Sequence, residues 1–304
     1  VQQVITGLAP HTRRKRLGHE TSKPALRAPR IDFHVHLSPS LYEFEHSWVT
    51  DWMKLSHPNG FEQFCEDYSD PGRFEDLLTR EGVDFACVVA ELNEMTTGIC
   101  TNERVRDFCR GRPRLIPFCD VNPYLFARPA DELKRLVNED GFRGVKLYPT
   151  YQQYFPNDSR IYPIYRTAQD LGIPVLMHTG SSIFPGTRLK YGDPLHLDDV
   201  AVDFPELKLV MAHSGRGFWY DGAFFMSRLH KNVYMEIAGL PPSKLLEYFP
   251  DLGRNADKVI FGSDWPGMPH IKRNIEAVAA LPLPSGAAEK ILGGNAARLL
   301  GLNC

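Results

Sequence analysis

From residue 31 onward, short apolar runs alternate with stretches in which apolar residues recur every three or four positions. The runs are IDFHVHL (31–37), VDFACVVA (83–90), RLIPFCDV (114–121), GVKLYP (144–149), PVLMHTG (174–180), LKLVMAHSG (207–215), NVYMEIAG (232–239) and VIFGSDWP (259–266). They read as eight strands, and from the second onward they return about every 30 residues, the length of a βα unit. Between them, Ile161, Ile164, Tyr165, Ala168 and Leu171 share one helical face that Gly172 ends. The segment 73–82 repeats this with Phe74, Leu77, Leu78 and Gly82, and 131–141 with Leu133, Leu136 and Val137. Strand–helix alternation of this length predicts an α/β fold, a (β/α)8 TIM barrel with parallel strands. A doubly wound open sheet would want a GxGxxG turn, and the chain has none. The tail 289–301 predicts a last helix pair interrupted at Gly293–Gly294.

Two segments break the rhythm. Residues 38–72 are an insertion after the first strand, rich in aromatics (Tyr42, Phe44, Trp48, Trp52, Phe61, Phe64). An insertion at that end of a barrel strand either caps the active site or is a helical elaboration that only packs. Residues 1–30 carry seven Arg and Lys against the single acid Glu20 and lack an apolar stretch of signal-peptide type. They read as a basic N-terminal arm, mobile or partner-contacting, ahead of one barrel domain spanning 31–304.

Composition changes this picture little. Hydrophobic residues at 43%, charged residues at 24% and a net charge of −2 are ordinary for a soluble domain. They give no reason to expect nucleic acid or a membrane as partner, and no run of 18 apolar residues suggests a membrane-spanning helix. The six cysteines form no CxxC pair, and Cys87 and Cys119 sit inside apolar runs as buried hydrophobes would. A reducing, cytoplasmic setting is expected. The expected partner is a small-molecule substrate, with room for a homodimer.

The chemistry lies at the strand ends. His34 and His36 are two apart on a strand and share a face, while Ile31, Phe33, Val35 and Leu37 are the apolar alternates, so the histidines are expected to face inward. His178 ends its strand in phase with Leu176, His213 ends the next in phase with Leu209 and Met211, and Asp264 ends the last in phase with Ile260 and Gly262. Four histidines and a carboxylate thus converge on the C-terminal mouth, where barrel enzymes assemble their sites. Lys146 shares the phase of Tyr148, and Glu236 that of Tyr234, so these too are expected inside. Arg216 and Trp219 follow His213 and are candidate pocket residues; His196, Asp198, Asp199 and His270 read as structural.

HVH on the first strand, single histidines ending the fifth and sixth, and Asp in FGSDWP together resemble the amidohydrolase superfamily. GVKLYP, HTG, AHSG, FGSDWP and GGNAARLL narrow the resemblance, over about 31–301, to the family-2 branch of hydrolases and nonoxidative decarboxylases. That resemblance implies one divalent ion held by His34, His36, His178 and Asp264, most suitably Zn²⁺, with Mn²⁺, Fe²⁺ or Co²⁺ as alternatives. Such an ion lowers the pKa of a bound water towards about 7. Asp264 would serve as both ligand and base, and His213 would polarise a substrate carbonyl or steer the water. In parts of the superfamily a lysine at the place of Lys146 is carboxylated and bridges two metals. Here it is expected to bind substrate, with Tyr148, Arg216 and Trp219, or to pair with Glu236. The intact His34-x-His36 pair favours a hydrolase acting on a carbonyl carbon of a small acid, ester, lactone or ketone. The alternatives are decarboxylation of an aromatic or unsaturated acid, and a metal-binding barrel without turnover.

Overall fold

All eight apolar runs become strands of one sheet. The computed structural model describes residues 28–57 and 59–302, so nearly all of the basic N-terminal arm lies outside the described residues. The barrel strands are β1 (Ile31–Val35), β2 (Phe85–Val89), β5 (Leu115–Asp120), β6 (Gly144–Leu147), β7 (Pro174–Gly180), β8 (Lys208–Arg216), β9 (Val233–Glu236) and β10 (Val259–Ile260). They neighbour one another in chain order and every pairing is parallel. The seam between the last and first strands is closed by the backbone bonds Phe33 N to Phe261 O (3.1 Å), Asp264 N to His34 O (3.0 Å) and His36 N to Trp265 O (2.8 Å). The fold is the (β/α)8 barrel that the alternation predicts. At its N-terminal edge Arg30 is already part of it: its backbone N donates to the Asp84 carboxylate, and its carbonyl accepts from Asp84 N.

Amphipathic helices cover the outside. Pro71–Glu81 buries Phe74, Leu77 and Leu78, starts on an Asp70 side-chain cap and ends at Gly82 in the left-handed conformation. Pro129–Asn138 buries Leu133 and Leu136, and Tyr162–Asp170 buries Ile164, Tyr165 and Ala168. The expected break in the tail is real: Gly293 leaves helical geometry, and a Cβ there would overlap the Pro29 carbonyl. The helix beyond it, Asn295–Leu300, plugs the barrel bottom, where Ala296, Leu299 and Leu300 meet Ile31, Phe33, Cys87, Phe118, Leu176 and Val210. An apolar floor therefore fills the lower lumen.

Strand β1 departs from simple alternation. Ile31 and Phe33 belong to this floor, whereas Val35 and Leu37 pack outward under the helices. The register of β1 against β2 shifts between Asp32 and Val35, and that irregularity lets both Phe33 and the following histidines face inward.

Two insertions stand over the mouth. Residues 38–72 do both of the things expected of them, in different halves. Tyr42, Phe44 and the helix Trp48–Ser56, with Val49, Trp52 and Met53, line the cavity. The helix Phe61–Asp67 packs sideways, with Phe64 and Tyr68 against Trp265. The second insertion, a hairpin of β3 (Glu91–Asn93) and β4 (Gly98–Cys100) directly after β2, is not foreseen by the periodicity, because its strands are only three residues long. Among the described residues no helix is long and apolar enough to cross a membrane, and the five described cysteines are free and buried.

Candidate metal centre and active site

His34 stands where the inner face of β1 rises above the apolar floor. Its Nε2 lies 3.1 Å from Lys146 Nζ, and its Nδ1 lies 3.5 Å from Glu236 Oε2. It is His34, not Glu236, that Lys146 meets at hydrogen-bond distance. Burial, with the Lys146 charge beside it, pushes His34 well below the usual histidine range and keeps it neutral. His36, one alternate residue on, directs Nε2 at Asp264 Oδ1 (3.5 Å) and Nδ1 at Glu91 Oε2 (3.1 Å). Burial opposes its charge, but bonding to Asp264 and Glu91 wins and lifts it to about 9.

His213 reaches the site against its strand phase. Leu209 and Met211, whose phase it shares, pack outward. His213 and Ser214 take φ values of 60° and 45°, and this left-handed step turns the imidazole into the lumen. Such a conformation costs on the order of 1–3 kcal/mol in a non-glycine residue and is held by its surroundings. Here Glu236 Oε2 accepts from His213 N (3.1 Å), and His213 Nδ1 faces the Ala238 carbonyl (2.9 Å). A carbonyl only accepts, so Nδ1 carries the hydrogen and Nε2 offers a lone pair. Burial and Arg216 hold His213 neutral, well below the histidine range.

Asp264 lies across the seam, also with positive φ (67°). Burial alone would raise its carboxyl, but His213, His36 and His34 hold it well below the usual carboxylate range. Its Oδ1 is 3.6 Å from His34 Nε2, and its Oδ2 is 4.0 Å from His213 Nδ1 and 3.9 Å from Arg216 Nη1. His178 enters from β7 with its ring 4.8 Å from that of His213 and 4.7 Å from Tyr151. Burial and Lys146 keep it neutral, and its buried Nε2 has no hydrogen-bond partner. Ligand atoms of His34, His213 and Asp264 all fall within 4.8 Å of one another.

The donor set fits a divalent cation. An unpaired buried nitrogen such as His178 Nε2 costs about 1–3 kcal/mol, and a metal ion is one partner that removes the cost. Neutral His34, His178 and His213 around an ionised Asp264 are in the protonation states that metal binding needs, and His36 would give up its Nε2 proton on binding.

All five residues of the expected core, His34, His36, His178, His213 and Asp264, line one cavity of roughly 220 Å³, with Lys146, Tyr148 and Arg216. The Tyr148 hydroxyl is already engaged, donating to Ala90 O (2.7 Å). Arg216 donates through Nε and Nη2 to Ser181 O and leaves Nη1 towards Asp264. Trp219 is not brought in: it precedes the helix Tyr220–Leu229, hydrogen-bonds Gly215 through its backbone and does not line the cavity. Asp198 and Asp199 bond His230 and Asn157, away from the cavity. Sequence reasoning missed Glu91, Tyr42, Thr97 and Tyr151. Glu91 could have been found, since it directly follows an apolar strand run as a carboxylate at the barrel mouth.

The amidohydrolase family description matches residues 31–302. The chain belongs to the amidohydrolase family. An uncharacterized TIM-barrel protein from Bordetella bronchiseptica superposes with a TM-score of 0.74 at 24% identity, covering 90% of this chain and 98% of its own. A 2,6-dihydroxybenzoate decarboxylase in complex with 2,6-dihydroxybenzoate gives 0.67 at 17% identity, covering 90% and 99%. The 5-carboxyvanillate decarboxylase of Novosphingobium aromaticivorans, bound to manganese and 4-hydroxy-3-methoxy-5-nitrobenzoic acid, gives 0.65 at 15%, covering 90% and 96%. At these identities the likeness is one of fold.

Proposed function

We propose that this amidohydrolase is a metal-dependent nonoxidative decarboxylase of a small aromatic carboxylic acid, rather than the carbonyl hydrolase suggested by the His34-x-His36 pair alone. The observation that carries the reading is the cavity. Its floor gathers four histidines, Lys146, Arg216 and Asp264, and its walls are Phe44, Trp52, Tyr151 and Phe184. A dry cavity of about 150 Å³ accommodates benzene, so roughly 220 Å³ suits one substituted ring. Aromatic walls favour a flat ring by stacking and edge contacts, and a basic floor favours its acid group at the bottom. The aromatic acids bound by two of the neighbouring enzymes fit the same reading.

One ion held by His34, His36, His178 and Asp264, Zn²⁺ or the Mn²⁺ seen in a neighbour, would supply the positive charge that anchors the substrate's acidic group. Arg216 adds charge at the same end, and the apolar walls exclude water from the ring. The acid arrives as its carboxylate, so Asp264, ionised at rest, draws from solvent the one proton that the ring needs. As the bond between ring and carboxyl carbon breaks, its electron pair passes to the ring carbon, Asp264 returns the proton there, and carbon dioxide leaves. His213, with Nδ1–H fixed on Ala238 O, offers Nε2 only as an acceptor and so orients a substrate hydroxyl rather than the carboxylate.

Turnover of a panel of hydroxybenzoic acids in D₂O tests this. Carbon dioxide release with one deuterium at the vacated ring position is expected. A hydrolysed ester or lactone carrying solvent oxygen, with no carbon dioxide from any acid, would overturn it.

A further inference from the structure

We infer that Glu91 is a positioning residue for His36, through which the two insertions at the barrel mouth aim a metal ligand; the inference rests on the metal site proposed above. Glu91 opens the hairpin and is only 5% exposed. Its Oε1 accepts from Asn93 Nδ2 (2.9 Å) and from the Thr97 hydroxyl, both within the hairpin. Its Oε2 accepts from the Tyr42 hydroxyl (3.2 Å) and lies 3.1 Å from His36 Nδ1. With both oxygens bonded, the carboxylate is held in one orientation.

A carboxylate in this setting only accepts, so His36 must keep a hydrogen on Nδ1, and Nε2 is the nitrogen left to shed its proton to a metal. Nε2 faces Asp264, the carboxylate across the seam that would share the ion. Without Glu91, either ring nitrogen could carry the proton and the ring could turn. Tyr42 also approaches His36 Nδ1 (3.1 Å), but its hydrogen is directed to Glu91. The two contributors arrive from different insertions that are stapled together. Glu43 and Ile99 exchange backbone bonds (2.9 and 2.8 Å), and Trp48 Nε1 donates to Thr96 O (2.8 Å). The stapled cap thus delivers one acceptor to the back of one ligand.

The test compares Glu91→Leu with Glu91→Gln in the full chain, stripped of metal and titrated with Co²⁺ by its visible absorption. Gln can keep an amide oxygen towards His36, while its NH₂ meets the Thr97 hydroxyl and the Asn93 amide oxygen, which has no partner in the wild type. Glu91→Leu should weaken Co²⁺ binding about 10–100-fold, and Glu91→Gln should recover most of it. Melting of the metal-free proteins separates loss of folding from loss of aim. ¹⁵N NMR of the Zn²⁺-loaded wild type should show His36 ligated through Nε2 with Nδ1 protonated, a result that stands even if Glu91→Leu does not fold. Wild-type Co²⁺ affinity in Glu91→Leu, a Gln variant as weak as the Leu variant, or ligation through Nδ1 would overturn the inference. Wild-type protein that binds neither Co²⁺ nor Zn²⁺ would refute the metal site itself, and the role of Glu91 with it.

Discussion

Gly262 is the position where one added methyl group should do most damage to the centre. A Cβ there would run into Glu236 Oε1 and come within 2.8 Å of His34 Cβ and 3.1 Å of Ala238 Cβ. These neighbours belong to the site's support: Glu236 accepts from His213 N and Ala238 N and sits behind His34. Overpacking of a tight core costs about 1–3 kcal/mol, and a buried donor stripped of its acceptor about 1–3 kcal/mol. Gly262→Ala should therefore lose about 2–6 kcal/mol, or roughly 3–9 °C of melting temperature in a chain of this size. Because Glu236 must shift, metal affinity should also fall about tenfold or more. Gly222→Ala is the control: it lies exposed in a helix, with the nearest contact to its Cβ at 3.8 Å, and should gain about 0.5–1 kcal/mol from helix propensity. Calorimetry and a metal titration on both variants decide the matter. A Gly262→Ala protein that melts with the wild type and binds metal equally well would refute the reasoning.

His213→Asn should cut turnover about 100-fold or more while metal content stays near one ion per chain; loss of the ion on elemental analysis would instead make His213 a ligand, as its closeness to His34 and Asp264 allows. The chelated chain should also show a pH signature. His36 is lifted from 6.5 to about 9 because bonding to Asp264 and Glu91 outweighs burial, so the stability it contributes is complete below about 6.5 and fades as pH rises through about 9. Melting temperatures across that range should fall in the wild type and stay flatter in His36→Gln; parallel curves would contradict this. In the tail, Asn295 Nδ2 donates to both Ala256 O and Val259 O (2.7 Å each) while fully buried. Asn295→Ala should cost about 2 kcal/mol or more, read by denaturant midpoint at unchanged slope.

How much of this was legible in the sequence follows from the range of the forces involved. The eight strands and their order were legible because alternating burial on a strand, and a helix stripe every three or four residues, are local consequences of backbone geometry. His178, Lys146 and Asp264 followed from the same periodicity, each lying in phase with a lumen-facing neighbour. His213 did not: its phase with Leu209 and Met211 points outward, and only a left-handed step held by Glu236 and Ala238, residues of another strand, turns it in. Ile31 and Phe33 were misplaced for a related reason, since the register shift in β1 depends on pairing with β2. Trp219 was drawn towards the pocket by nearness in sequence to His213, but the helix that begins at Tyr220 carries it away. Glu91 carries a local signal as a carboxylate directly after a strand run, but its link to the site lies in contacts with Tyr42 and His36, some 50 residues away along the chain. Sequence periodicity alone settled which barrel strands form and, Glu91 apart, which ionisable residues end them. Which nitrogen faces which oxygen was decided by tertiary structure, because hydrogen-bond direction depends on partners that only closure of the barrel brings within about 3 Å.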